Sequence, residues 1–379
     1  MTIDIESFLD PVTLAARSEE ERRRAARPGP DDATFIDVAD YLDADFYRRE
    51  LDVFRRTWHL ACTSAELAEV GQYMRWDFLG RPIIVTRSAV GTLSAFYGVC
   101  AHRGGPVGDL EAGSGATRRF VCPYHNWSYD LRGRLAGRPS PEHFPDSSNG
   151  DIRLPAVQVA EHAGLVWINE SPDAAPLGSW LGTVGTSIER GDIARYSLES
   201  HRRYDVAANW KLSTEGGIDT YHIDYLHSRT ARGVLDNAGT LVLKDGPHST
   251  AIVPIRRPDL IGAYLPGGLG DRLPANVQCW VFPTHLVSLF PYAIALIAHY
   301  PAAIDRTVVD WRILISDEVT SAEARAEIVR NYEATFDEDR DLTPLIQRNL
   351  ESGVLERAPL SVKEDRVLHI HQAMIEAIS

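Results

Sequence analysis

The pattern of apolar positions divides the chain into three textures. Residues 1 to about 40 are polar. Ser18-Glu19-Glu20-Glu21-Arg22-Arg23-Arg24 sets acids three or four residues ahead of arginines, which predicts a short exposed helix ended by Pro28-Gly29-Pro30. Residues 45–58 place Phe46, Leu51, Phe54 and Trp58 on one side of a helix. From Gly71 the period shortens. Residues 82–86 and 93–97 flank Val90-Gly91, a hairpin pattern, and 120–121, 127–130 and 165–168 read as further strands. Residues 45–170 are therefore predicted to be mostly β. Beyond them, 204–210 reads as a strand and 211–227 as a helix. Residues 240–316 are strand-rich, with 307–315 the clearest case, and 321–350 and 362–378 carry amphipathic helical patterns. Strands followed by helices predict an α+β domain, an antiparallel sheet flanked by helices. The predicted division is an N-terminal arm and helix (1–44), an all-β domain (45–170) and an α+β domain (171–379). No internal repeat is visible.

Composition narrows the class. Of 379 residues, 44% are hydrophobic and 24% charged, the balance of a globular protein. The net charge of −14 argues against a general nucleic-acid binder and suits a basic redox partner. The first ten residues carry acids and no apolar core of a signal peptide. The longest apolar stretch, 286–298, is broken by Pro291 and reads as buried strands rather than a membrane span. The expected location is the cytoplasm.

Two of the four cysteines change the picture. Cys62 and Cys279 lie in apolar settings and read as ordinary buried residues. Cys100-Ala101-His102 and Cys122-Pro123-Tyr124-His125 instead pair one thiolate with one imidazole in each of two short loops, nineteen residues apart. Zinc modules more often pair C-x-x-C with a separate histidine pair. One Cys and one His per loop suits a Rieske-type [2Fe–2S] cluster, in which histidines replace the cysteines of one iron. Gly104 and Gly105 would let backbone approach the sulfides. A structural zinc site is the competing reading.

A second constellation follows: Asp219, His222 and His227. Two histidines and a carboxylate form a facial triad on non-haem Fe(II) and leave positions open for dioxygen. Five residues apart on a regular helix, His222 and His227 would point about 140° apart. Sharing one ion therefore predicts a bulge or break between Ile223 and Leu226. The carboxylate stays open among Asp219, Asp337, Asp339 and Asp341. The other nine histidines have no spacing partner and read as structural or surface residues.

With these residues in view, the chain resembles the α (terminal oxygenase) subunits of Rieske non-haem iron ring-hydroxylating oxygenases. The resemblance spans roughly residues 45–375. It rests on the two Cys/His loops, Asn209-Trp210-Lys211-Leu212, Glu215, Asp219, Tyr221-His222, His227 and Glu338-Asp339-Arg340-Asp341 with Gln347-Arg348. It implies that Cys100 and Cys122 bind one cluster iron and His102 and His125 the other. It implies that His222, His227 and Asp339 bind the catalytic Fe(II). Asp219 would bridge a cluster histidine of one subunit to His222 of the next, in a homotrimer with or without β subunits. Two departures stand out. The cluster loops are a little further apart than usual, with Gly113-Ser114-Gly115 at a longer hairpin tip. Gly216 stands where the family commonly has Asn.

The implied activity is hydroxylation of an aromatic or related small organic substrate with dioxygen. Oxidative N- or O-demethylation on the same irons is the alternative, and a non-catalytic electron-transfer protein the reading from another class. The chain has no G-x-G-x-x-G motif after a strand, since Gly267-Gly268-Leu269-Gly270 is a loop pattern. Electrons would therefore come from NAD(P)H through a separate flavin reductase, with or without a ferredoxin. Pocket residues are expected from 216–223 and the strands of 281–297, with Phe282, Leu289, Phe290 and Tyr292 as candidate liners. Arg256-Arg257 is a candidate for a substrate carboxylate.

Overall fold

The computed structural model describes residues 11–25, 34–108, 114–144, 149–261, 264–270 and 272–379. Pro28-Gly29-Pro30 and Gly113 lie outside them. Chain contacts define two compact units, one of residues 55–180 and the other of the described residues before and after it. These limits differ from 45 and 170. The helix Ala44–Arg56 buries Glu50, Val53 and Phe54, and Glu50 pairs with Lys211 of the later unit. The charge pair ties this helix to the later unit.

The 55–180 unit is all-β apart from short turns. Its seven-stranded antiparallel sheet runs, from one edge to the other, His59–Thr63, Leu165–Asn169, Ala156–His162, Thr92–Tyr97, Arg81–Ala89, Gln72–Phe78 and Ser114–Ala116. The predicted Val90-Gly91 hairpin is present, with Gly91 in the left-handed region (φ 67°). A three-stranded sheet of Phe120–Val121, Ser128–Tyr129 and Leu135–Gly137 carries the second Cys/His loop. The core between them gathers Ile84, Phe96, Val107, Phe120, Trp127, Tyr129 and both loop cysteines.

The other unit is built on a seven-stranded antiparallel sheet. Its order is Tyr196–Val206, Arg306–Ser316, Ala293–Ala303, His285–Leu289, Ala275–Val281, His248–Pro254 and Leu241–Asp245. The apolar stretch 286–298 thus forms parts of two adjacent buried strands. One face of the sheet supplies Ala251, Val253, Ala293, Ala295, Trp311 and Ile313 to a core that also takes Ile328, Tyr332 and Phe336 from a 30-residue helix, Ala322–Glu351. The C-terminal helix Asp365–Ile378 completes this unit. Among the described residues no helix is long and apolar enough to cross a membrane.

Candidate metal centres

The two Cys/His loops are near copies of one another in backbone. Cys100 N–H donates to Gly105 O at 2.8 Å, and Cys100 O accepts from Gly104 N–H at 2.9 Å. Cys122 N–H donates to Trp127 O at 2.8 Å, and Cys122 O accepts from Asn126 N–H at 2.9 Å. The fourth residue after each cysteine is left-handed, Gly104 at φ 71° and Asn126 at φ 59°. Glycine adopts that conformation freely, and asparagine is among the few side chains that tolerate it. Each loop therefore folds back on its own strand and presents one thiol and one imidazole.

The loops close on each other. A Cβ at Gly105 would lie 2.8 Å from Cys122 Sγ, so only glycine lets this backbone reach the opposing thiol. Cys100 and Cys122 are buried at 4% and 1% exposure, while His102 and His125 are half-buried. Their rings lie 4.7 Å apart, and Trp127 stacks on His102 at 4.6 Å. The Tyr129 hydroxyl lies 3.1 Å from Cys100 Sγ and accepts from Ala101 N–H. Burial pushes the Cys122 thiol up, and the neighbouring Cys100 adds to this. Burial, His125 and Arg103 hold His102 below its ordinary pKa, so it stays neutral.

His102 Nδ1 is buried with no partner among the described residues. A neutral imidazole with an unused lone pair, a Cys122 thiol that resists ionising without a cation, a second buried thiol at Cys100 and a backbone cradle fit an iron–sulfur cluster. Tetrahedral zinc would need four donors within about 4 Å of one another. Among the described residues, the one set of three or more His, Cys, Asp or Glu gathered within 4.8 Å is elsewhere. The separation favours a cluster spanning the two pairs over a single ion.

That set is His222, His227 and Asp339. His222 Nε2 lies 3.1 Å from His227 Nε2. Asp339 Oδ1 lies 3.5 Å from the first and 3.3 Å from the second. Bonds of about 2.1 Å at right angles would set donors about 3 Å apart, so the triangle fits one face of an octahedral ion. Asp339 completes it, and Asp219 does not. Asp337 pairs with Arg340 at 2.9 Å, and Asp341 stays exposed.

The break that brings the imidazoles together comes earlier than the sequence pattern predicts. The helix Trp210–Ile218 stops before Asp219, and a single 3₁₀ turn, His222–Asp224, follows. The stop has two causes. Asp219 Oδ1 accepts from Tyr221 N–H at 2.5 Å, an Asx turn that competes with helix. The buried guanidinium of Arg366 donates to Ile218 O, Ser249 Oγ and Gln278 Oε1. A cation at the helix's negative end is favourable there, although burial lowers the Arg366 pKa to about 10.

Each imidazole is oriented from behind by a carboxylate. Asp219 Oδ2 lies 2.8 Å from His222 Nδ1, and Glu338 Oε2 lies 2.7 Å from His227 Nδ1. Such partners fix the tautomer so that Nε2 carries the free lone pair. Burial lowers the His227 pKa, but Asp339 and Glu338 outweigh it and the net shift is upward. Sequence reasoning missed Glu338; its only signal was its place in the acidic run. Thr230 Oγ1 also donates to it at 2.8 Å.

The helix before the site is anchored by buried charges. Lys211 Nζ lies 2.5 Å from Glu50 Oε1, both side chains fully buried. Glu215 accepts from Tyr41 OH and lies 2.8 Å from His371 Nε2, whose Nδ1 lies 3.2 Å from Asp40. Gly216 faces Asp339: a Cβ there would sit 3.5 Å from the carboxylate carbon, an ordinary contact.

Comparison with known proteins agrees with both centres. A model of the Rieske [2Fe–2S] domain matches residues 57–158, and one of the ring-hydroxylating α-subunit catalytic domain matches residues 193–379. The carnitine monooxygenase oxygenase subunit of Escherichia coli (strain K12) is 23% identical over 92% of this chain and 94% of that protein. Chlorobenzene dioxygenase subunit alpha of Cupriavidus sp. (strain PS12) is 30% identical over 48% of this chain and 42% of that protein. The solved structure of a quaternary ammonium Rieske monooxygenase in complex with L-carnitine superposes with a TM-score of 0.80 at 20% identity, over 94% of this chain and 99% of that one. With one family model over the paired Cys/His loops and the other over the His–His–Asp triangle, the chain belongs to the α (terminal oxygenase) subunits of Rieske non-haem iron oxygenases, whose cofactors are a [2Fe–2S] cluster and a mononuclear iron.

Proposed function

We propose that Cys100, His102, Cys122 and His125 hold the cluster, and that His222, His227 and Asp339 hold the mononuclear iron. The observation that carries this reading is the donor triangle of 3.1, 3.3 and 3.5 Å. All three ligands sit on one side, which leaves the opposite side open to dioxygen and substrate. The two iron centres supply one-electron transfer and dioxygen activation. The protein's own part is positioning. Asp219 and Glu338 hold the Nδ1 protons of His222 and His227 and keep each Nε2 aimed at the shared point. Asp219 stands beside the exposed rings of Tyr221 and Tyr225, where a neighbouring subunit would meet it. In a homotrimer, with or without β subunits, it is the residue that would link His222 to a cluster histidine of that neighbour. Electrons would arrive from NAD(P)H through a flavin reductase, directly or by a ferredoxin, in the cytoplasm.

The substrate is a small organic molecule hydroxylated at carbon, aromatic or similarly apolar. The apolar, ring-rich core between sheet and long helix supports this reading. A second reading, oxidative demethylation of an N- or O-methyl compound, is favoured by the near full-length likeness to a carnitine monooxygenase subunit. Turnover with a reconstituted reductase under ¹⁸O₂ separates them. Labelled hydroxyl retained on the ring supports the first, and formaldehyde release supports the second. Reductant consumption with neither a labelled hydroxyl product nor formaldehyde would sink both.

A further inference from the structure

One face of the catalytic sheet holds polar atoms that the fold itself does not use. Strand register puts Ala251, Gln278, Ser288, Ala295 and Ile313 in one row across this face. A neighbouring row begins Val253–Asn276, and another includes Ile297 and Trp311. The long helix Ala322–Glu351 lays Ile328, Tyr332 and Phe336 against the same core. Asn276 Oδ1, Trp311 Nε1 and Tyr332 OH are buried here without a partner among the described residues. Asn276 Nδ2 donates to Ser288 Oγ at 2.9 Å, and its Oδ1 is the amide atom left over. Burying an unpaired hydroxyl or carbonyl returns nothing to folding, so a core built only for stability would carry Phe and Leu at these places.

The surroundings say what such atoms await. Tyr332 lies 6.0 Å from Phe290, Phe290 5.6 Å from Tyr292, and Tyr292 4.9 Å from Tyr264. Tyr332, Phe336 and Asp339 fall at i, i+4 and i+7, one side of the helix. The orphan phenol is thus about 10 Å along the axis from the carboxylate of the metal triangle. Ala251, Ala293 and Ala295 keep the facing sheet shallow.

We infer that Tyr332 and Asn276 are specificity-determining residues, and that the substrate is an uncharged, largely aromatic molecule bearing a hydroxyl or N–H group at the end remote from the oxidised carbon. The inference rests on the proposed iron site and names the substrate class for it. A hydroxyl both donates to Asn276 Oδ1 and accepts from Tyr332 OH. A quaternary ammonium has no N–H, so rings would attract it while both polar atoms stayed unpaired. A carboxylate would meet the lone pairs of Asn276.

The test uses holoenzyme, with Tyr332→Phe and Asn276→Leu beside wild type, and three probes: 2-naphthol, naphthalene and choline. Without probe, Tyr332→Phe should melt about 2 °C higher, because an unpaired hydroxyl has been removed. Titration calorimetry should show wild type preferring 2-naphthol to naphthalene and choline. Each variant should lose about tenfold in 2-naphthol affinity and leave naphthalene unchanged. A lower melting temperature for Tyr332→Phe overturns the inference whether or not a probe binds, since the hydroxyl would then have a structural partner. So does a wild type that prefers choline or naphthalene. If no probe binds, the melting temperature alone decides. Wild-type protein lacking mononuclear iron would instead overturn the iron site, and metal analysis reads that separately.

Discussion

The two metal centres are made in opposite ways. The cluster cradle is local: each loop is closed by its own backbone hydrogen bonds and opened by one left-handed residue, Gly104 or Asn126. The mononuclear site is assembled from afar. His227 and Glu338 are 111 residues apart, and the helix that ends at Ile218 is held by Glu50, Tyr41, His371 and Arg366 from three other segments. A local site is stable once its strands pair. A distributed site is only as firm as the packing and buried charges behind it, so it should loosen first under stress.

The largest expected effect follows from the buried pair. Lys211→Met leaves the fully buried Glu50 without its cation, at a cost of about 3–5 kcal/mol. In a denaturant series, mononuclear iron should be released well before the visible absorbance of the cluster fades. Simultaneous loss of both would break the contrast. The double variant Glu50→Leu/Lys211→Met should recover most of the stability.

Acid should act on the same unit. His299 is fully buried under the site helix, 2.8 Å from Ser213 Oγ, and burial lowers its pKa to about 3. The unfolded chain takes up a proton near pH 6.5 that the folded chain refuses. Stability therefore falls as pH drops from 6.5 toward 3, by about 1.4 kcal/mol per unit and about 2 kcal/mol at pH 5. Denaturant titrations of His299→Leu at pH 7 and pH 5 should show a flatter dependence than wild type. An equal slope would remove His299 from the account.

Next comes the carboxylate behind His227. Glu338→Gln should keep the fold and the cluster spectrum and weaken Fe(II) affinity by about 10- to 100-fold in equilibrium dialysis. Unchanged affinity would mean that Thr230 or packing already fixes the ring. The smallest effect belongs to Gly216. Alanine there has room and gains helix propensity, so Gly216→Ala should stabilise by up to about 1 kcal/mol with iron retained.

What the sequence made legible follows the same contrast. The paired Cys/His loops could be read directly because C-x-H and C-x-x-H are contiguous and the hairpins around them alternate cleanly. The catalytic sheet and both late helices were also visible in their periods. The helix end was not, because the apolar pattern runs on past Ile218 while an Asx turn and a guanidinium from the far C-terminus stop it. Asp339 could not be told from its acidic neighbours without the resemblance, since only tertiary packing turns it inward. Glu338 gave no signal beyond its place in the acidic run and Glu50 gave none: an acid on a helix reads as solvent-facing until its buried partner is known.

The most direct measurement is iron and acid-labile sulfide per chain in wild type and Asp339→Asn, with the reduced cluster followed by electron paramagnetic resonance. Two separate centres predict three irons and two sulfides in wild type, and two irons, two sulfides and an unaltered cluster signal in the variant. A variant that keeps all three irons, or loses the cluster signal along with one of them, would contradict the separation of the two sites.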